Sequence, residues 1–287
     1  RISSMKKPVI ASPIYTFDQD GNKVPYKLTK NQKQATRQLG KVQLNIESNG
    51  ITLTQSGNYI LASNLTDLTA PITISGSDIN LDLNGFFVSN SSGDGILIDA
   101  AAGLIQNIRI SNGTVRNCGS AGIHFDTTST NTIKNVILNN LSMIENGEQG
   151  IFLEGVENKR FLIEHCIIEG TQGAATAGNT LGRGLLIQGG SQYEIRQLIS
   201  NENNGPGIDI KGTDFVFESC AALQNGVGAG LFSTGTAAVN RVNIRDCQMN
   251  GNTGHGISFA GTGNNIENVS IEQCEVVGNT SNGINIS

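Results

Sequence analysis

Tryptophan is absent from the 287 residues, aromatic residues make up 5%, and Lys, Arg, Asp and Glu together only 15%, against roughly 25% in ordinary globular chains. So low a charge content excludes a solvated disordered tail and a charge-laced coiled coil. Proline is scarce as well, 5 residues, and even with 36 Gly the pair stays below the share that marks low-complexity or collagenous sequence. Long apolar runs are missing too. None approaches the roughly 18 residues of a membrane-crossing helix, so no membrane span is expected. The five Cys are odd in number and form no C-x-x-C pair, which excludes a paired zinc or redox motif and implies no disulfide framework. What is present suffices for a core: 37% hydrophobic residues, approaching half of the chain once Gly is added.

The net charge of −5 conceals an asymmetry. Nine Lys or Arg and two Asp lie in the stretch ending at Lys41, so an arm of +7 precedes a remainder of −12. An acidic body argues against nucleic acid as a partner, because that affinity comes from neutralising phosphates with Lys and Arg. Thr29 with Gln32 reads as a capping box and Gly40 as a helix end, which predicts a short helix over Thr29–Leu39. Residues 1–50 are therefore expected to be a basic arm and cap, and residues 51–287 the main domain. The cap would cover a sheet edge that otherwise invites aggregation.

The main domain repeats. Gly followed by Ile or Leu recurs at 95, 122, 150, 184, 207, 230, 256 and 283, and alternating apolar residues follow each Gly. Period two predicts strands: Ile96–Ile98, Ile123–Phe125, Ile151–Leu153, Leu185–Ile187 and Ile208–Ile210. A second strand recurs in each unit and ends in Asn, at 146, 203, 225, 252 and 279, so Asn and Gly are expected at corners with left-handed backbone angles. Aligning these second strands puts Leu141, Cys166, Leu198, Cys220, Cys247 and Cys274 at one inward position, and Val136, Phe161, Tyr193, Phe215, Val242 and Val269 at another. The Cys are thus small core hydrophobes rather than reactive centres. Glu164, Arg196, Glu218, Arg245 and Glu272 fall between them, outward, with alternating sign.

A chain that winds once per repeat and stacks each coil on the last, about 4.8 Å away, fits this pattern. The residues resemble right-handed parallel β-helix proteins of the pectate-lyase-like superfamily, over roughly Ile51 to Ser287. The resemblance implies an all-β, right-handed parallel β-helix, here with a short N-terminal capping helix. For function it implies little, because that superfamily includes lyases, hydrolases, epimerases, tailspikes and adhesins. Its enzymes act on acidic polysaccharides. Gly254, His255 and Gly256 match a tripeptide of the polygalacturonase branch, but Gly256 belongs to the repeat itself, and the accompanying acidic segments are missing. A lyase-type centre needs carboxylates around Ca²⁺ near a base. Asp99, Asp126 and Glu154 fall at one outward position on three successive rungs and are the candidate metal ligands, with Arg109 or Arg183 as the base. No other cofactor is implied.

Outward positions of the first strands read Leu97, His124, Phe152, Leu186, Asp209, Phe232, Ser258 and Asn285. Large apolar residues facing solvent mark a contact surface or one covered by the same chain. Leu97, Phe152, Leu186 and Phe232 are the candidate interface. The leading expectation is a non-catalytic structural or adhesive surface protein, extracellular, that self-associates along this face or end to end as a homo-oligomer or larger assembly, with the chain continuing past Ser287 or another subunit covering that end. The alternatives are a polysaccharide-processing enzyme and a glycan-binding module.

Overall fold

A computed structural model describes residues 15–17, 23–25, 41–44, 50–66, 68–127, 131–155, 157–173, 182–234, 239–260 and 266–287. The capping helix expected at Thr29–Leu39 lies outside them. Among the described residues there is no helix, and so none long and apolar enough to cross a membrane. Tyr15–Phe17 pairs antiparallel with Lys23–Pro25. Every other strand pairing among the described residues is parallel, in one sheet of fifteen strands and one of ten.

The chain is a stacked coil. Ile51, Ile72, Ile96, Ile123, Ile151, Leu185, Ile208, Leu231, Ile257 and Ile284 form one in-register column along the ten-stranded sheet. The long sheet stacks in the same way and begins at Lys41–Leu44, which pairs with Gly57–Leu61. Parallel coils of this kind leave no free edge between their ends and bury both sheets' inner faces against each other. Inside, Tyr193 stacks on Phe215 with ring centroids 4.9 Å apart, and Phe161 packs against Tyr193 at 5.5 Å with its ring tilted 37°. The Cys column is buried as expected down to Cys247, and Cys247 Sγ accepts a hydrogen bond from the Cys220 amide at 3.4 Å. Burial pushes the Cys166 thiol up to about 12, so it stays neutral.

The corners differ from expectation in one respect. The strand-ending Asn residues do not carry the left-handed angles; the residue before each does, at Glu145, Glu202, Gln224, Gly251 and Gly278. The Asn side chains turn inward instead. Asn225 Oδ1 accepts from the Asn203 amide and from Asn203 Nδ2, while Asn225 Nδ2 donates to Ser200 O and to Asn252 Oδ1, and Asn252 repeats the pattern with Asn279. A turn buried in a dry interior leaves backbone groups unpaired, and a short primary amide supplies both a donor and an acceptor there. Nor does the repeat Gly serve a left-handed corner: at Gly150 a Cβ would lie 2.1 Å from Ile168 Cγ2, so close approach of the two sheets demands its absence.

Candidate functional site

Two outward faces carry chemistry. On the ten-stranded sheet, strands Ile96–Asp99, Ile123–Asp126 and Gln149–Leu153 place Leu97, His124 and Phe152 side by side. The His124 ring stacks on Phe152, centroids 4.7 Å apart and 10° from parallel. Its Nδ1 lies 3.0 Å from Asp94 Oδ2 and its Nε2 3.3 Å from Glu154 Oε2. Asp94 Oδ1 also accepts the Ala121 amide, at 2.9 Å. Burial disfavours both charged forms, but the mutual hydrogen bond and attraction outweigh it: the Asp94 carboxyl is held below its ordinary range and His124 above its own.

Asp99 and Asp126 stand in register on adjacent rungs, with Glu154 following on the next. Asp99 caps its own turn through the Ala101 amide at 2.8 Å, and Glu154 is drawn to His124. Among the described residues no three His, Cys, Asp or Glu side chains converge to hold a metal ion. The two candidate bases are placed elsewhere. Arg109 lies on the long sheet, away from the three carboxylates, and reaches Asn139 at 3.5 Å. Arg183 Nε is 2.5 Å from Asp209 Oδ2, a buried carboxylate paired with a partly buried guanidinium. Burial pushes the Asp209 carboxyl up, against the pull of Arg183 and Lys211. The remaining histidines are structural: His165 is a left-handed corner residue, and His255 Nδ1 accepts the Asn282 amide.

The apolar stripe is less open than the alternation implies. Leu186, expected at its centre, is 1% exposed and Asp209 2%, while Leu97, Phe152 and Phe232 are half-buried. Strand parity gives the direction of a side chain from the sheet; it cannot reveal what the rest of the chain lays over it.

The second face was not singled out in the sequence. Along the outer side of the long sheet, Asn80, Arg109, Ile137, Leu162, Glu194 and Val216 form one register row, the floor of a groove of about 860 Å3. One rim is the column of left-handed corner residues Asp78, Asn107, Asn135, Arg160, Gln192 and Asp214. Asn107 Nδ2 donates to Asp78 Oδ1 at 2.7 Å and Asn135 Nδ2 to Asn107 Oδ1 at 2.9 Å. The groove's other carboxylates are held in the same manner: Asp214 is gripped by both ends of the Arg241 guanidinium, and Glu194 by Arg196. Beside the groove runs the alternating ladder expected from the sequence. Glu218 meets Arg196 at 3.4 Å and Arg245 at 2.5 Å. The signal for the groove was available, because the outward position between inward Val136 and Leu138 is Ile137, and Leu162 and Val216 repeat it.

The family described as right handed beta helix region matches residues 42–175 and 94–270. No curated protein matches the chain in sequence. Among solved structures, the ORF18 protein of Geobacillus virus E2 is 12% identical with a TM-score of 0.44, over 83% of this chain and 50% of that one. Pectate lyase Pel9A is 13% identical with a TM-score of 0.41, over 84% and 69%. The receptor-binding domain of the siphovirus 9NA tailspike is 11% identical with a TM-score of 0.37, over 91% and 61%. This chain thus spans half the length of the Geobacillus virus protein. At such identities and scores these likenesses carry no argument about what it binds or does.

Proposed function

Because the chain belongs to the right-handed β-helix family, whose members differ in what their surfaces carry, we propose from its own surface that it is an adhesive, extracellular surface protein. On this reading it holds a glycan in the groove of the long sheet without cleaving it. The groove is the observation that carries the reading. A sugar ring offers an apolar C–H face and an edge of hydroxyls. Ile137, Leu162 and Val216 supply an apolar floor for the first, and Asn107, Asn135, Gln192, Arg109 and Arg160 supply planar donors and acceptors for the second. The fixed spacing of the coils repeats these groups along the groove, which suits a polymer better than a single compact ligand.

Cleavage is disfavoured by the state of the carboxylates. Glycoside hydrolysis needs two of them, one on each side of the bond and free to donate or accept a proton. In the groove Asp78, Glu194 and Asp214 each already hold a structural partner. For the Ca²⁺-assisted alternative, Arg109 stands on the long sheet and Asp99 and Asp126 on the ten-stranded one, so Arg183, on a strand of that same sheet, would be the base to test. Self-association through the opposite face loses its central residue to the burial of Leu186.

The test is retention on a panel of immobilised polysaccharides, with the flow-through examined for new reducing or unsaturated ends. Binding without products is expected, and Leu162→Asp should abolish it while leaving the β-rich circular dichroism unchanged. Retention unaffected by Leu162→Asp would remove the groove from consideration, and products would make the protein an enzyme.

A further inference from the structure

Three of the five free Cys stack on successive coils. The pairings of Glu218 with Arg245 and of Ala221 with Gln248 put Cys220 in register with Cys247. Those of Arg245 with Glu272 and of Gln248 with Glu275 put Cys247 in register with Cys274. Coils about 4.8 Å apart place the Cα atoms within the roughly 4.4–6.8 Å that a disulfide spans. Each side chain leans toward the coil before its own: Cys220 Sγ donates to Ile195 O at 3.3 Å, Cys247 Sγ accepts the Cys220 amide at 3.4 Å, and Cys274 Sγ donates to Ile244 O at 3.7 Å. The Cys220 and Cys247 thiols also hydrogen-bond to each other. Both are buried, whereas Cys274 is half-buried. Among the described residues the other two Cys have no thiol beside them. Cys166 stands between Leu141 and Leu198 in its column, and the Cys118 amide donates to Asn146 Oδ1 of the next coil.

We propose that Cys274, Cys247 and Cys220 form a thiol relay, which takes oxidising equivalents from a small-molecule disulfide in solution and ends as a Cys220–Cys247 disulfide stapling two coils together. Cys274, the thiol that solutes can reach, loses its proton and attacks one sulfur of R–S–S–R. That S–S bond breaks, and the departing thiolate takes up a proton as R–SH. Cys247 then attacks the Cys274 sulfur and displaces the second R–SH. Cys220 in turn attacks the Cys247 sulfur, which returns Cys274 to the thiol. In sum two thiols lose two electrons and two protons, and the entering disulfide gains them as two molecules of R–SH. Handing the bond inward is what brings the buried pair into the reaction, because neutral thiols in a dry core are poor nucleophiles toward a solute. The product closes the chain between Cys220 and Cys247 into a loop, which restricts the unfolded state and stabilises the fold.

The experiment incubates the reduced full chain with oxidised glutathione, quenches the exchange in acid, alkylates the remaining thiols and maps the disulfides by mass spectrometry. Cleavage at Arg and Glu puts Cys220, Cys247 and Cys274 on separate peptides. Two of the five thiols should be lost, with Cys220 linked to Cys247, Cys118 and Cys166 unmodified, and a urea midpoint above that of the reduced chain. Cys247→Ala should halt the relay at a glutathione adduct on Cys274, leave Cys220 reduced and remove the midpoint shift. Five intact thiols, an adduct on Cys274 of the unaltered chain that goes no further, a link that stops at Cys247–Cys274, or any link to Cys118 or Cys166 overturns the relay. Equal urea midpoints for the oxidised and reduced chains overturn the staple. If Cys247→Ala does not fold, the peptide map and the two midpoints of the unaltered chain decide by themselves.

Discussion

Replacing Asn225 with Ala should cost far more than its size suggests. The side chain is fully buried, and its amide makes four hydrogen bonds: the Asn203 amide and Asn203 Nδ2 into Oδ1 at 3.2 and 2.9 Å, and Nδ2 out to Ser200 O and Asn252 Oδ1 at 3.0 Å each. Asn203 Nδ2 retains Ser200 Oγ, and Asn252 Oδ1 retains the Asn225 amide. The Asn203 N–H and the Ser200 carbonyl are left short of a partner in the dry interior. A stranded buried group costs about 1–3 kcal/mol and each further lost bond about 1 kcal/mol net, so a total of about 3–5 kcal/mol is expected. Asn204→Ala is the control. It follows Asn203 directly, is exposed, and its side chain donates a single bond to Gln172 O, so about 1 kcal/mol or less is expected. Urea titration followed by circular dichroism reads the difference globally, and amide exchange in the neighbouring coils reads it locally, since a solenoid's stability is largely nearest-neighbour. Equal midpoints for the two variants, within about 1 kcal/mol, would refute the idea that the Asn column supplies buried turns with their missing partners.

Three further outcomes follow from the packing. Arg183→Ala leaves Asp209 buried without its cation and should cost about 3–5 kcal/mol at pH 7; because burial already raises the Asp209 carboxyl, the deficit should shrink as pH falls toward its protonation, read as urea midpoints at pH 7 and pH 5. Glu218→Lys puts three cations in a row at Arg196, Lys and Arg245, and should lower the melting temperature at low salt, a loss that narrows in 0.5 M salt. Gly254→Ala would set a Cβ 1.4 Å from Gly228 O, a backbone atom with no rotamer to move, so loss of amide protection over residues 255–286 is expected.

Much of the scaffold is visible in the residues alone. The inward columns through Val136 and Leu141, the buried Cys among them, and the alternating Glu and Arg ladder follow from period two and the near-constant interval between coils, and the structure stacks them in register. The sites are less visible, for two physical reasons. Asp94 belongs to a turn, so no strand alignment pairs it with His124, and the thirty-residue interval between them differs from the spacing of the rungs they flank. Leu186 alternates as an outward residue should and is nonetheless buried, because alternation fixes the side of the sheet and not the exposure of that side. Asn tolerates left-handed angles, which points to these Asn as corner formers; at these turns their side-chain amide matters more than their backbone.

Density for a bound oligosaccharide in a crystal of the full chain, grown with whichever polysaccharide fragment the protein retains, tests the proposed function most directly. If the groove is the site, the sugar lies across Ile137, Leu162 and Val216 with its hydroxyls on Asn107, Asn135 and Arg160, and it is intact. A sugar seated instead against Leu97 and Phe152, or found cleaved, would contradict both the location and the absence of catalysis.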